Sequence, residues 1–335
     1  MLAVVMNEPG GVDAMRIAEV ETPTVGDNEV LITVAAAGVN RADLLQRQGF
    51  YPPPAGASDI LGLECSGVVS QLGSAAVELP IGRQVCALLS GGGYAQQVAV
   101  PAGQVMPLPE GIGLMDAAAL PEVACTVYSN LAMVAGLRAG EWLLIHGGGS
   151  GIGTFAIQWA KAIGAKVAVT AGSPGKVAAC LSLGADAAID YREEDFVARM
   201  HELTKGRGAD VILDVVGAKY LDRNIETLGQ GGRLVIIGLL GGVRGEINLG
   251  ALVSRRGSIA ATSLRARPES EKADICQRVV TEVWPLIAEG KIRPVVHRAL
   301  PLSEVASAHE EIAASRHFGK LLLLPDPAER AGVPL

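Results

Sequence analysis

The feature that most constrains the fold is a series of short apolar segments that recurs after Pro121. The segments are EWLLIH, AKVAVTA, DAAIDY, ADVILDVVG, GRLVIIG and GSIAATS. Each has the composition of a buried strand, and the first four intervals between them are each long enough to hold a helix. Strands that alternate with helices predict a parallel, doubly wound sheet of the Rossmann type.

The two ends of the chain follow other patterns. Up to about residue 120, short β-like runs such as EVLITVAAAG and ECSGVVSQLG are separated by Gly, Pro, Asn and Asp, which predicts a barrel-like, mostly-β domain. Beyond residue 262 we predict a long helix interrupted near Pro285, a strand in IRPVVHRAL, a helix from Ser303 to about His317, a final strand, and a short polar end after Pro325. That tail has no core of its own, so we expect it to complete the first domain. The predicted boundaries are 1–121, 122–262 and 263–335.

Composition excludes several classes of protein. A chain of 335 residues that is 49% hydrophobic can bury a large core in roughly two domains. With a net charge of −7, the chain lacks the overall positive charge of a nucleic-acid-binding protein. A local basic groove is still compatible with this charge. The opening MLAVVMNEPGG lacks the features of a signal peptide or a membrane span, so no membrane partner is expected. Five scattered cysteines fit reduced thiols in a cytoplasmic protein and provide no metal-ligand spacing.

The stretch LLIHGGGSGIGTFAIQ passes from a strand through a glycine cluster into a helix. Such a turn directs backbone N–H groups and the positive end of the helix dipole at one point, where pyrophosphate usually binds. The strict G-x-G-x-x-G pattern is absent, and an isolated turn of this kind is often only a tight turn. The surrounding alternation favours a nucleotide site. Ser150 either contacts the ligand or caps the helix. The candidate residues are Gly147, Ser150, Gly151, Ile152 and Gly153.

The next strand distinguishes NAD from NADP. An NAD site places a carboxylate about twenty residues beyond the glycines, to bind the ribose 2′-OH. No Asp or Glu occurs from Trp142 through Ala185. The segment AGSPGK instead offers Gly172 for close approach, Ser173 as a donor and Lys176 as a cation for a 2′-phosphate. We therefore predict NADPH as the cofactor, although Lys176 is also an ordinary residue for the first turn of a helix.

Several motifs resemble one known family. They are PGGVDAMRIAEVETP, AAAGVNRADLLQRQGFYPPP, LGLECSGVVSQLG, YREEDF, GLLGG and TSLRARP. Together they resemble the zinc-independent NADPH:quinone oxidoreductases of the medium-chain dehydrogenase/reductase superfamily, over nearly the whole chain. The family's A-x-x-G-x-x-G pattern in the nucleotide turn here becomes Gly147-x-x-Ser150-x-x-Gly153.

The resemblance implies a GroES-like barrel as the catalytic domain, made of both chain ends, with a Rossmann domain inserted and the cofactor in the cleft between them. It also implies that Tyr191 joins Lys176 at the 2′-phosphate and that Arg316 lies near the adenosine phosphate. A packed strand-end tyrosine and a solvated helix-end arginine are the alternatives. The resemblance brings Gly238, Leu239 and Leu240 close to the cofactor, and it places Thr126, Thr262, Ser263 and Leu264 near the nicotinamide.

On the acceptor side, zinc enzymes of the superfamily polarise a carbonyl with a metal held by Cys and His. This chain has Asn40 and Glu64 in the corresponding neighbourhoods, so we expect no catalytic metal. Hydride transfer then needs an electrophilic acceptor, such as a quinone or enone, whose oxygen is stabilised by donors. Tyr51, Asn40 and Ser150 are the candidate catalytic residues, and Asn40 is also a candidate to bind the cofactor ribose. Tyr51 packed on prolines and Asn40 as a turn residue are the alternatives, and Asp43 is equally a helix-turn carboxylate or a site residue.

The predicted function is NADPH-dependent reduction of quinones by hydride transfer without metal. Reduction of conjugated enones or enoyl thioesters is an alternative that uses the same cofactor geometry. A non-catalytic NADPH-binding sensor or structural protein is an alternative of another class. The strand GSIAATS, if exposed at the sheet edge, predicts a homodimer through pairing with its own copy.

Overall fold

A computed structural model describes residues 1–76 and 79–325, so the predicted polar end after Pro325 lies outside the described residues. The strands are β1 (Leu2–Val5), β2 (Arg16–Glu19), β3 (Glu29–Val39), β4 (Glu64–Leu72), β5 (Gln84–Leu88), β6 (Gln97–Pro101), β7 (Val105–Pro107), β8 (Trp142–His146), β9 (Lys166–Ala171), β10 (Ala187–Asp190), β11 (Ala209–Asp214), β12 (Leu228–Ile236), β13 (Ser258–Ala261), β14 (Val296–Pro301) and β15 (Lys320–Leu324). The α-helices are α1 (Arg41–Arg47), α2 (Pro121–Val127), α3 (Gly151–Ala162), α4 (Pro174–Ser182), α5 (Phe196–Leu203), α6 (Leu221–Thr227), α7 (Leu249–Ser254), α8 (Glu269–Glu282), α9 (Trp284–Ala288) and α10 (Val305–Ala313). A π-helix spans Tyr128–Val134.

The chain divides into two compact units. The first comprises Met1–Cys125, Leu264–Glu289 and the described residues from Pro294 onward, and the second comprises Thr126–Ser263 with Gly290–Arg293. The first boundary therefore falls inside α2. The short segment Gly290–Arg293 belongs to the second unit because the Gln158 side chain bonds both the N–H and the carbonyl of Arg293, at 2.9 and 3.0 Å.

The first unit is built on a sheet in the order β14-β15-β3-β4-β5-β7, with β6 paired to β3. Its strands are antiparallel except β14 and β15. The eleven-residue β3 is the centre, because it pairs with β4, β6 and β15 along its length. Valines and isoleucines of β3, β4, β5 and β6 form the buried core of this sheet. The last strand of the chain thus completes a sheet begun by the first hundred residues.

The second unit contains a six-stranded, entirely parallel sheet in the order β10-β9-β8-β11-β12-β13. Strand β8 is buried along its whole length, as a central parallel strand must be. The strand order reverses between β8 and β11, which is the point where doubly wound folds bind nucleotides at the carboxyl ends of the strands. This topology confirms the predicted fold class.

Several predicted helix ends are confirmed. Ser150 caps α3, and Ser173 caps α4 with Pro174 at its first position. Gly164 and Gly184 follow the ends of these helices with φ of +84° and +103°, values that only glycine adopts at little cost. The predicted break near Pro285 is confirmed as the junction of α8 and α9.

Three elements differ from expectation. Helix α10 ends at Ala313, before His317, because Ser315 turns into the left-handed region with φ of +51°. Strand β14 begins at Val296, since residues 290–293 are bonded to the second unit. The π-helix Tyr128–Val134 has no recognisable sequence pattern.

Among the described residues, the helical stretch Asp116–Val134 has the length and hydropathy of a membrane span. Its apolar window is 78% buried inside the protein, and the core helix of a globular protein passes the same test.

Candidate functional site

The glycine turn after β8 is shaped by Ser150. Gly147 has φ of +80° and lets the chain reverse at the end of the strand. The Ser150 hydroxyl donates to the Gly147 carbonyl at 2.8 Å and accepts from the Gly153 N–H at 3.0 Å. The second interaction is that of a helix N-cap and the first closes the turn, so the structure favours the capping alternative for this side chain.

Glycine is required at two further positions of this turn. A Cβ at Gly153 would lie 2.3 Å from the Gly147 carbonyl oxygen, and a Cβ at Gly148 would lie 2.8 Å from the Val169 side chain. Helix α3 therefore begins directly against the turn. The first backbone N–H groups of α3 have no hydrogen-bond partner within the helix. Because the Gly153 N–H donates to Ser150, the N–H groups of Gly151 and Ile152 are the ones that can bind an anion.

A second group of candidate residues meets at the end of β9. Ala171 pairs with Asp190 in the sheet, which brings the residues that follow them, Gly172 and Tyr191, together. A Cβ on Gly172 would lie 2.5 Å from the Tyr191 hydroxyl, so this close approach needs glycine. Ser173 caps α4 by accepting from the Lys176 N–H at 3.4 Å. Tyr191 is 45% exposed and thus available to a ligand.

One carboxylate from beyond the acid-free stretch Trp142–Ala185 lies beside this group. Asp190 ends β10 and is buried. Its Oδ1 accepts from the Arg192 N–H at 3.1 Å, within the turn that follows the strand. The signal for Asp190 in the sequence is an acidic residue at the end of a strand.

His146, just before the glycine turn, has a structural environment. Its Nε2 lies 2.7 Å from Asn224 Oδ1 and its Nδ1 lies 3.1 Å from Thr170 Oγ1. The rings of Phe196 and Tyr220 contact it edge to face. Burial lowers the pKa of His146 to about 4, against the opposing effect of the Asn224 hydrogen bond. The imidazole is neutral at physiological pH and supports the end of β8.

The loop with Gly238, Leu239 and Leu240 is held by the turn after β11. Asp214 at the end of β11 accepts from the Val216 and Gly217 N–H groups at 2.7 and 3.0 Å, and burial raises its pKa to about 6. The carbonyl of Val215 then accepts from the Leu240 N–H at 3.2 Å. Both leucines are more than half exposed. Sequence reasoning missed Asp214. Its signal in the sequence is an acidic residue at the end of an apolar strand.

Asn130 joins two predicted nicotinamide-side residues within the second unit. Its Nδ2 donates to the Thr126 carbonyl at 2.8 Å, and its Oδ1 accepts from the Thr262 hydroxyl at 2.5 Å. Asn130 is buried within the π-helix, a distortion that is frequent at functional sites. Ser263 belongs to the same unit, whereas Leu264 is a buried residue of the first unit. Sequence reasoning missed Asn130.

In the first unit, Asn40 belongs to a buried charged network. Its Nδ2 donates to Glu64 Oε1 at 2.8 Å, and its Oδ1 accepts from the Lys320 ammonium at 2.7 Å. Lys320 also donates to Glu64 Oε1 and to the Val39 carbonyl, the latter at 3.2 Å. Glu64 Oε2 accepts from the Glu122 N–H, at the start of α2, at 2.9 Å. The charges therefore fix the amide so that its nitrogen faces the carboxylate and its oxygen faces the ammonium.

Tyr51 lies in the irregular segment after α1 and is half-buried. The Arg265 guanidinium lies 5.4 Å from the centre of its ring and donates to its carbonyl at 3.3 Å. Neither Arg265 nor Lys320 was identified from the sequence. Arg265 follows the TSL motif, and Lys320 is a lone cation in an apolar strand, so both had a weak signal.

Other candidates have ordinary surroundings. Asp43 accepts from the Asn40 N–H at 2.7 Å and from the Tyr94 hydroxyl at 2.9 Å, as a helix-turn carboxylate, and burial raises its pKa to about 6. Cys125 is a buried thiol with its Sγ 3.8 Å from that of Cys276. Arg316 is exposed beyond the end of α10. Within residues 1–76 and 79–325, no group of three or more His, Cys, Asp or Glu side chains is arranged to hold a metal ion.

Comparison with known proteins identifies the relatives of this chain. Residues 26–110 match the family described as Alcohol dehydrogenase GroES-like domain, and residues 151–280 match Zinc-binding dehydrogenase. A Quinone oxidoreductase of Pseudomonas aeruginosa is 33% identical, over 94% of this chain and 97% of its own.

Solved structures agree with this assignment. The crystal structure of Escherichia coli quinone oxidoreductase complexed with NADPH has a TM-score of 0.87 and 30% identity, and the match covers 97% of this chain and 100% of that one. The CurK enoyl reductase has a TM-score of 0.85 and 26% identity, with 97% and 99% of the two chains covered. The chain therefore belongs to the quinone oxidoreductase family of the medium-chain dehydrogenase/reductase superfamily.

Proposed function

We propose that the protein reduces quinones with NADPH, by a hydride transfer that requires no metal. The observation that carries the cofactor assignment is the group at the end of β9, where Gly172 admits the Tyr191 hydroxyl beside the capping Ser173. The relative from Pseudomonas aeruginosa is named a quinone oxidoreductase, and the E. coli one binds NADPH, which supports both halves of the proposal.

The nucleotide end of the second unit fits NADPH. The Gly151 and Ile152 N–H groups would bind the pyrophosphate at the start of α3. Ser173, Lys176 and Tyr191 would hold the 2′-phosphate, because hydroxyl donors and a cation suit an anion. The neighbouring Asp190 is buried, and its Oδ1 accepts from the Arg192 N–H. The segment Gly238–Leu240 and the residues Thr126, Thr262 and Ser263, linked in part by Asn130, would line the nicotinamide side.

NADPH, when bound, supplies the hydride. The chain's own residues must stabilise the negative charge that develops on the acceptor oxygen. We assign this task to the Tyr51 hydroxyl and to the second Nδ2 hydrogen of Asn40. The Glu64–Lys320 pair fixes the Asn40 amide, so it can present a donor without a metal ion. For Ser150 we propose a role in shaping the turn rather than in chemistry.

A substrate panel tests this function. The protein, treated with a chelator and checked for metal content, is assayed with NADPH against ortho-quinones, para-quinones, conjugated enones and enoyl thioesters. We expect turnover to persist after metal removal and kcat/KM to be highest for quinones. Loss of activity on chelation, with recovery on adding zinc, would contradict the metal-free mechanism.

Reduction of a conjugated double bond is a second candidate. The similarity to the CurK enoyl reductase supports it, since hydride delivery to an enone also develops charge on a carbonyl oxygen. A kcat/KM for an enoyl thioester above that of every quinone in the panel would establish this alternative. Tight NADPH binding without turnover of any acceptor would instead indicate a sensor or structural protein.

We further propose a cytoplasmic homodimer. The free thiols Cys65, Cys86, Cys125, Cys180 and Cys276 are all buried, which suits a reducing compartment. Within the described part of the chain, β13 pairs with β12 alone and ends the parallel sheet, so its other edge can pair with a second copy. Beyond Gly238–Leu240, the segment between β12 and β13 exposes four further large apolar side chains, Val243, Ile247, Leu249 and Val253.

A further inference from the structure

The segment that carries Tyr51 has no regular secondary structure, so other contacts must hold the phenol in place. Arg265 provides them. Its Nη1 donates to the Tyr51 carbonyl at 3.3 Å, and the guanidinium lies 5.4 Å from the centre of the phenol ring. One side chain thus contacts both the backbone and the ring of Tyr51.

The same guanidinium is anchored at a second segment. Its Nε and Nη2 donate to the Ser90 carbonyl at 2.9 and 2.7 Å. Two donors that converge on one carbonyl oxygen fix the plane of the guanidinium, a geometry that the ammonium group of lysine does not offer. Arg265 therefore connects Tyr51 rigidly to Ser90, the residue that follows β5 and Leu89.

The burial of Arg265 shows that this connection is costly. The residue is only 5% exposed, and among the described residues its hydrogen-bond acceptors are carbonyl oxygens rather than carboxylates. Burial lowers the pKa of Arg265, and the charges of Tyr51, Asp43 and Glu122 oppose this only through space, so keeping the cation in such surroundings costs free energy. A packed apolar side chain would fill the same space without that cost, so the charge itself has a use there.

We propose that Arg265 is a positioning residue for Tyr51: it fixes the phenol and places a positive charge over its ring, so that the hydroxyl is a stronger hydrogen-bond donor to the acceptor oxygen. The inference rests on the proposed function, in which Tyr51 stabilises charge on a quinone oxygen. A cation over an aromatic face favours the accumulation of negative charge on that ring.

Lys272 provides a matched control. It is also a buried cation of the first unit, and its Nζ donates to the Ser90 hydroxyl at 2.7 Å. Among the described contacts, Lys272 hydrogen-bonds Ser90 and does not contact Tyr51. Lys272→Met therefore removes a buried charge beside the same residue without removing support from the phenol.

The test combines Arg265→Met and Arg265→Lys with Tyr51→Phe. Arg265→Met is expected to lower kcat for a quinone about tenfold and to leave the NADPH dissociation constant unchanged. Arg265→Lys should have a kcat between those of Arg265→Met and the wild type, because it keeps the positive charge. In the Tyr51→Phe background Arg265→Met should cost less than about threefold, because the hydroxyl through which Arg265 acts is gone. Lys272→Met should also cost less than about threefold in the wild-type background. Equal losses from Arg265→Met in both backgrounds would overturn the proposal.

Amide hydrogen exchange separates this inference from the proposed function. If the wild-type protein reduces no quinone, the proposed function fails, and the positioning claim is then decided by exchange in residues 50–58. Arg265→Met should accelerate exchange there while Lys272→Met does not. Unchanged exchange in Arg265→Met would overturn the positioning role whatever the activity.

Discussion

At the scale of single residues, Lys176 distinguishes the two dinucleotides. A cation in the first turn of α4 beside Ser173 adds affinity only for a ligand with a 2′-phosphate. We expect Lys176→Met to weaken NADPH binding about tenfold and to leave NADH binding unchanged, as measured by calorimetry. Lys161→Met is the control, because Lys161 pairs with Asp186, whose carboxylate also binds the Val167 N–H near the start of β9. Equal effects on both dinucleotides would refute the assignment.

His146 predicts the acid sensitivity of the fold. Its folded-state pKa of about 4 lies below the ordinary value of 6.5, so the unfolded chain takes up the proton first as pH falls. The stability due to the neutral imidazole is therefore complete above pH 6.5 and is lost progressively toward pH 4, by roughly 3 kcal/mol. His146→Gln should be less stable at pH 7 yet lose less stability between pH 6.5 and 4.5.

Urea unfolding at several pH values measures this effect. His201→Gln is the control, since His201 lies partly exposed on α5. Its free energy of unfolding at pH 7 should equal that of the wild type. The buried Asp43 and Asp214 act in the opposite direction, because a raised carboxyl pKa makes the folded state gain stability as pH falls through about 6. If His146→Gln kept the full wild-type change of the free energy of unfolding with pH, another group would be responsible for that change.

At the scale of elements, the glycine turn and α3 act as one binding unit. Gly153→Ala would put a methyl group 2.3 Å from the Gly147 carbonyl oxygen, so the turn or the helix must move. We expect NADPH affinity to fall at least about thirtyfold, because the amides that bind pyrophosphate lose their direction. Gly113→Ala is the control, since no heavy atom lies within 4 Å of its added methyl. Near-normal NADPH titrations of Gly153→Ala would contradict this account of the turn.

The regular elements follow from local pattern. Buried apolar strands such as β8 and β9, and the caps Ser150 and Ser173, have short-range signatures that their own residues impose. The π-helix and the segment Gly290–Arg293 do not, since contacts distant in sequence determine them. The Gln158 side chain, 135 residues away, fixes Arg293. The end of α10 likewise depends on Ser315, whose left-handed backbone conformation stops the helix.

The candidate site shows the same division. The nucleotide turn and the Ser173 cap were predictable, because each is contiguous in sequence. Glu64 and Lys320 are 256 residues apart and meet only because β15 joins the sheet beside β3. Arg265 reaches Ser90 and Tyr51 across comparable distances in sequence, so pattern alone does not identify it.

At the scale of the whole molecule, the outer edge of β13, which pairs with β12 alone within the described part of the chain, predicts a dimer. Pairing of β13 with its copy would satisfy edge groups and cover apolar side chains near it. We expect sedimentation as a dimer at micromolar concentration with NADPH present. Val253→Arg should weaken association, whereas the folded monomer should tolerate it because Val253 is 74% exposed. A wild-type monomer under these conditions would exclude the proposal.

The central claim is metal-free, NADPH-selective reduction of a quinone with Tyr51 as donor. The most direct test follows the loss of NADPH absorbance with a planar ortho-quinone, with NADH and Tyr51→Phe as parallel samples. We predict rapid oxidation of NADPH, slow oxidation of NADH, and a kcat about tenfold lower in Tyr51→Phe with unchanged NADPH binding. NADPH binding without turnover, or full activity in Tyr51→Phe, would contradict the account.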